Sequence, residues 1–218
     1  MRKLVVAIDG PAGAGKSTVA QMAAKELGFT YIDTGAMYRA VAWKSLQQGK
    51  TVTDDLINDV VKDIDIVLDY KEGKTKVFVD GTEVTAAIRT PEVTGIVSQV
   101  AALGPVRERL TDLQRKMATQ GSVIMDGRDI ATNVLPNADI KIFLTASIEE
   151  RADRRYKEMK AKGYDVDLKK LQEEIAARDK ADSEREISPL VQAEDAELLD
   201  TSDMSIEEVV KAILDRCR

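Results

Sequence analysis

The chain predicts an α/β fold built on a doubly wound parallel sheet, and three observations carry that prediction. Short apolar runs at residues 4–8, 31–32, 123–125, 140–144 and 198–199 alternate with stretches of helical periodicity. The first run leads directly into Gly10-Pro11-Ala12-Gly13-Ala14-Gly15-Lys16-Ser17-Thr18, which satisfies G-x-x-x-x-G-K-[ST] and is followed by an amphipathic helix over residues 18–27. One section, residues 64–84, breaks the rhythm with strand-like alternation and the turn dipeptide Asp80-Gly81, so it reads as a small antiparallel insert outside the main sheet.

The loop has a physical rationale. Its glycines let successive backbone N–H groups turn inward without a Cβ clash, forming an anion-binding nest at a helix N-terminus. In such a loop Lys16 meets the β- and γ-phosphates of a nucleotide, and Ser17 offers its hydroxyl to a bridging Mg²⁺.

Along the chain, Thr90-Pro91 opens a helix as a cap followed by proline at the first helical position, and Gly104-Pro105 separates it from the next. In that next helix Val106, Leu110, Leu113 and Met117 form one apolar stripe. Ser147-Ile148-Glu149-Glu150 and Ser205-Ile206-Glu207-Glu208 have capping-box spacing and start two more helices. Gly163 separates two charged helical stretches and marks a hinge.

Composition narrows the function. At 218 residues and 44% hydrophobic content the chain can bury one α/β core with insertions. A net charge of −6 argues against coating a nucleic acid polymer, which needs many cationic phosphate contacts. With no histidine and a single cysteine, Cys217, the chain lacks an internal disulfide, common zinc sites and histidine-based catalysis. Arg2 and Lys3 precede an apolar stretch too short for a signal peptide, and no segment is long enough to span a membrane, so a cytoplasmic protein is expected.

Two further segments carry chemistry. The run Val123-Ile124-Met125 ends in Asp126-Gly127-Arg128-Asp129. There Asp126 can hold Mg²⁺ through water, and Arg128 and Asp129 stand where ligands bind in open α/β sheets. Arg178, Asp182 and Arg185 fall at i, i+4 and i+7, which places them on one side of a helix that Pro189 then stops. Arg151, Arg154 and Arg155 share a face of the helix begun by Ser147; they suit either a γ-phosphate clamp in a lid or surface pairing with Glu149, Glu150 and Glu158.

The order of the blocks, from Gly10–Thr18 through Asp33-Thr34-Gly35-Ala36-Met37-Tyr38-Arg39, Ile88-Arg89-Thr90, Ser98-Gln99-Val100 and Val106-Arg107 to Asp126-Gly127-Arg128-Asp129 and Arg178-Asp179, closely resembles the bacterial cytidylate kinases over essentially the whole length. The resemblance implies a P-loop three-layer α/β/α fold with a five-stranded parallel sheet. It also implies a core of residues 1–33, 101–150 and 168–218, an acceptor region at 34–100 with an antiparallel insert at about 62–86, and a short helical lid at 151–167. The activity it implies is transfer of the ATP γ-phosphoryl group to CMP or dCMP with Mg²⁺ at Ser17 and Asp126, by a cytoplasmic monomer of pyrimidine nucleotide metabolism.

Carried over by residue, Lys16 and Arg128 serve the transfer with the lid arginines, and Thr34, Tyr38, Arg39, Ser98, Arg107, Arg128, Asp129, Arg178, Asp182 and Arg185 bind the acceptor. The chain departs from the usual pattern at Thr34, which keeps the hydroxyl of a more common serine. Arg39 and Arg128 suit a phosphate, Asp129 with Ser98 and Arg107 suits the edge of cytosine, and Arg178 and Asp182 suit the ribose. Adenine contacts are expected from backbone near Thr201 and Met204. Kinases for shikimate or thymidylate share the loop but not the Arg128-Asp129 pair with the Arg178, Asp182, Arg185 face. A GTPase would need an N-K-x-D segment, which is absent.

Overall fold

In a computed structural model, residues 3–217 are described; Met1, Arg2 and Arg218, including the Arg2 of the short basic leader, lie outside them. Five parallel strands, β1 (Val5–Asp9), β2 (Thr30–Asp33), β6 (Val123–Gly127), β7 (Ile140–Thr145) and β8 (Glu197–Asp200), stand in the order β2-β6-β1-β7-β8. β1 is central and pairs in register with both neighbours, Val6 facing Ile124 on one side and Ile140 on the other. Val6, Ala7 and Ile8 are wholly buried, because helices cover both faces of a parallel sheet and its strands must be apolar on both. On one face lie α1 (Lys16–Leu27) and α8 (Ile206–Cys217); on the other, the irregular turn Ile130–Val134 and the end of α5 (Gly104–Ala118).

A second apolar core joins the insert to the helices around it. It is built by α2 (Thr34–Leu46), α3 (Asp54–Asp63), α4 (Pro91–Ala102) and α5 over a three-stranded antiparallel sheet of β3 (Ile66–Lys71), β4 (Lys74–Val79) and β5 (Thr82–Glu83). The expected insert is therefore present. Its main hairpin turns at Glu72-Gly73, and Asp80-Gly81 joins β4 to the two-residue β5; all four residues have positive φ, which suits the twist of two-residue hairpins. Beyond the sheet, α6 (Ile148–Ala161) and α7 (Leu168–Glu184) pack on each other around Ala152, Leu171 and Ile175.

The caps agree with the sequence reading, with one difference. Ser205 and Glu208 form a reciprocal capping box, whereas Glu150 leaves the Ser147 cap half-made and pairs with Arg154 instead. Gly163, with φ of 83, closes α6 as a left-handed residue, and α7 starts on an Asp167 cap. That helix ends at Glu184, before Ser188 and Pro189, so Arg185 is its extended C-cap rather than a member of the same helical face.

The loop after β1 is set by a backbone contact. A Cβ on Gly10, whose φ is 153, would lie 1.9 Å from the Leu144 carbonyl oxygen of β7, so only glycine lets the chain leave β1 at this angle. Gly10→Ala is therefore expected to cost about 3 kcal/mol and to lower the thermal midpoint by about 10 °C, measurable by differential scanning calorimetry.

Candidate active site

The functional side chains gather at the carboxyl ends of β1, β2 and β6, where the strand order reverses. α1 starts behind the left-handed Gly15 with no side-chain cap, which leaves its first N–H groups open toward the loop of residues 10–15. Lys16 is buried and its Nζ donates to the Pro11 carbonyl at 2.8 Å. Burial, followed by the nearby Arg128 charge, pulls its ammonium down to about 7, so an anion brought here would restore its charge.

β6 supplies the matching carboxylate. Asp126 accepts from Ser17 Oγ at 3.0 Å and from the Tyr31 hydroxyl at 2.8 Å, and burial with Asp33 nearby pushes it up to about 6. One hydroxyl and one buried carboxylate, both hard oxygen donors beside a phosphate nest, fit Mg²⁺, which uses few protein ligands and completes its shell with phosphate and water. Thr34 Oγ1 donates to the Asp126 carbonyl at 2.7 Å and so ties the start of α2 to the end of β6.

Next to the phosphate loop and Asp126 lies a polar, arginine-rich cleft. Thr34, Tyr38, Ser98, Arg107, Arg128, Asp129, Arg178, Asp182 and Arg185 all line it. Arg39 is not among the lining residues; its guanidinium donates to the Ile88 carbonyl and to Thr94 Oγ1, close to Arg178 and Arg155.

Within the cleft, Arg107 Nη2 donates to Asp129 Oδ2 at 2.6 Å and Nη1 to the Ala101 carbonyl at 2.9 Å, while its guanidinium stacks 5.2 Å from the centre of the Tyr38 ring. Asn133 holds the same Asp129 oxygen, leaving Oδ1 facing Arg185 at 3.8 Å. Arg128 Nε donates to Asp182 at 2.9 Å, and the Arg128, Arg178 and Arg185 charges hold that carboxyl below its usual range despite burial.

The cations repel one another. Burial, then Arg178, Arg89 and Arg155, bring Arg39 down to about 9; burial, then Arg128, bring Arg178 down to about 10. Four arginines against two aspartates line the cleft, an excess of two positive charges.

The three arginines of α6 separate. Arg151 is buried, with Nε donating to the Ala146 carbonyl, Nη1 to the Ala12 carbonyl of the phosphate loop and Nη2 to Asp179 at 2.6 Å. Arg154 pairs with Glu150 and donates to the Thr201 carbonyl at 2.8 Å, beside the stretch expected to meet adenine. Arg155 is half-buried and near enough to Arg39 and Arg178 to depress both.

Sequence reasoning missed several supporting groups. Asp9 accepts from the Ile130 and Ala131 N–H groups at 2.9 and 2.8 Å and so anchors the turn that follows Asp129; burial pushes its carboxyl up to about 6. Its position at the end of an apolar strand was the available signal. Asp33 caps α2 and pairs with Arg89 at 2.7 Å. Tyr31 and Asn133 gave no signal, because each looks like ordinary strand or turn sequence.

A phosphate loop facing an arginine-lined second pocket defines a P-loop phosphotransferase with a separate anionic acceptor. Solved structures agree on the fold: an uncharacterized protein from Eubacterium ventriosum (TM-score 0.53, 14% identity, 98% and 97% of the two chains) and shikimate kinase from Bacteroides thetaiotaomicron (TM-score 0.51, 12% identity, 97% of each chain) superpose on it. The sequence narrows this further. The profile of the family described as Cytidylate kinase matches residues 6–218. The chain is 53% identical over 215 residues to the cytidylate kinases of Ligilactobacillus salivarius and Bacillus subtilis, covering 98% of this chain and 96% of each relative. It is 54% identical over 211 residues to that of Exiguobacterium sibiricum, covering 96% and 95%. The chain belongs to the cytidylate kinase family.

The geometry separates Arg151 from Arg154 on α6. Arg151→Ala breaks a buried ion pair and two carbonyl bonds, and is expected to destabilise the protein by about 3 kcal/mol in urea unfolding. Arg154→Ala, at a half-exposed pair, is expected to cost about 1 kcal/mol or less in the same experiment.

Proposed function

We propose that this protein catalyses ATP-dependent phosphorylation of CMP and dCMP, with Mg²⁺, by in-line transfer of the γ-phosphoryl group. The observation that carries the reading is the charge of the cleft. Its two-charge excess matches a nucleoside monophosphate dianion, and the Arg107–Asp129 pair offers donor and acceptor groups suited to a cytosine edge. Uracil would set a carbonyl where cytosine has an amino group, against the Asp129 carboxylate, so the same pair rejects it.

The residues divide the work as follows. The loop of Gly10, Pro11, Ala12, Gly13, Ala14, Gly15, Lys16, Ser17 and Thr18 holds ATP, with Lys16 on the transferring phosphate. Mg²⁺, held by Ser17 and by Asp126 through water, would neutralise charge on the phosphate oxygens. Arg39 and Arg128 grip the acceptor phosphate, Ser98, Arg107 and Asp129 read the base, and Arg178 and Asp182 hold the ribose, with Thr34, Tyr38 and Arg185 completing the wall. An acceptor phosphate is already ionised near neutral pH, so no general base is required, consistent with a chain lacking histidine.

Residues 34–100 act as the acceptor arm, on a core they share with α5, and residues 151–167 act as the lid. Of the lid arginines, Arg155 is the one we assign to the γ-phosphate, since it faces the acceptor cations, whereas Arg151 braces the loop through Ala12. No helix among the described residues is long and apolar enough to cross a membrane, and a cytoplasmic monomer acting on small molecules is our reading.

A coupled assay offering ATP with CMP, dCMP, UMP or AMP tests the assignment; turnover is expected to be highest with the two cytidine nucleotides, and preference for UMP or AMP would sink it. Arg155→Ala is expected to lower kcat about 100-fold while leaving the KM for ATP near its starting value. CMP at 100 times its dissociation constant is expected to stabilise the protein by about 2.7 kcal/mol, whereas cytidine at the same concentration leaves the thermal midpoint nearly unchanged.

A further inference from the structure

α5 buries more than its apolar stripe. Beside Val106, Leu110, Leu113 and Met117 runs a polar row, Arg107, Thr111 and Gln114 at i, i+4 and i+7, and all three are buried. Gln114 is 1% exposed, and both its amide oxygen and its amide nitrogen lack a protein partner. The Thr111 hydroxyl, the Tyr38 hydroxyl and Arg107 Nε are likewise buried and unpartnered. These atoms belong together, for Gln114 lies at the Tyr38 hydroxyl and Tyr38 lies against the Arg107 guanidinium.

A buried amide without partners costs about 1–3 kcal/mol, so packing alone favours leucine at position 114. Neither Gln114 nor Thr111 reaches the cleft, whose wall stops at Tyr38 and Arg107. Any influence on a ligand must therefore pass through those two residues. Two of the three Arg107 nitrogens are fixed, on Ala101 and Asp129, and Nε is the one that still lets the guanidinium plane tilt.

We propose that Gln114 is a positioning residue for base recognition, acting with Thr111 beside it on the Tyr38 hydroxyl, so that the Tyr38 ring fixes the plane in which Arg107 meets the base. Supports of this kind matter because recognition tolerates only about 0.5 Å of play in the contacting group. The inference rests on the reading of Arg107 and Asp129 as the base-reading pair.

Gln114→Leu and Thr111→Val test it against the unaltered enzyme, with ATP and either CMP or UMP as substrates and thermal unfolding alongside. Gln114→Leu is expected to lower the CMP-over-UMP ratio of kcat/KM about tenfold, chiefly through the KM for CMP, with the KM for ATP unchanged and the thermal midpoint held or raised. Thr111→Val, nearly isosteric, is expected to show a smaller loss in the same direction and serves if Gln114→Leu does not fold. Equal losses with both acceptors, or an unchanged ratio in the folded variants, overturn the proposal. An unaltered enzyme without preference for CMP overturns instead the base-reading assignment beneath it, and the proposal falls with it.

Discussion

Repulsion among buried cations is the constraint on which the rest of this structure depends. Lys16, Arg39 and Arg178 are pulled toward neutrality first by burial and then by neighbouring cations, Arg128 foremost at Lys16 and at Arg178. Most guanidinium groups crowded in this way are pinned by carboxylates, carbonyls or hydroxyls. The structure supplies those pins from different elements: Asp182 for Arg128, Asp129 for Arg107, Asp179 for Arg151, and the Ile88 carbonyl with Thr94 for Arg39. The net charge of −6 is spread elsewhere, so a protein acidic as a whole concentrates a positive field in one cleft.

The sheet makes that concentration possible. Parallel strands deliver their carboxyl ends to one edge, and here the ends of β1 and β6 carry Asp9, Asp126 and the segment through Asp129 to a single rim. Asp9 then does a structural task by holding the turn after Asp129, which positions the carboxylate that pairs with Arg107. The loop after β1 and the cleft are thus linked in part through backbone amides.

Much of this was legible in the sequence because the inner strands, buried on both faces, are continuous apolar runs; all five strands of the main sheet lie within two residues of their expected ends, and the exposed edge strand β8 still carries the Leu198-Leu199 pair. Charged residues at strand ends likewise announced the cleft. The Glu72-Gly73 turn was missed because Tyr70, Lys71 and Lys74 blur the alternation around it, and the turn Ile130–Val134 has no local signature at all. Arg185 was expected on a helical face because spacing cannot show that the helix ends one residue earlier. The partner of Arg151, a backbone carbonyl at Ala12, carries no side-chain identity and leaves no mark in the sequence.

The helices and hairpin of residues 34–118 enclose an apolar core that meets a core of the main sheet at Leu68 and Met117. The Thr34 hydroxyl on the Asp126 carbonyl and the Asp33–Arg89 pair add polar ties across the same seam. Because Leu68 and Met117 pack into both cores, a change of volume at either is felt on both sides of the seam.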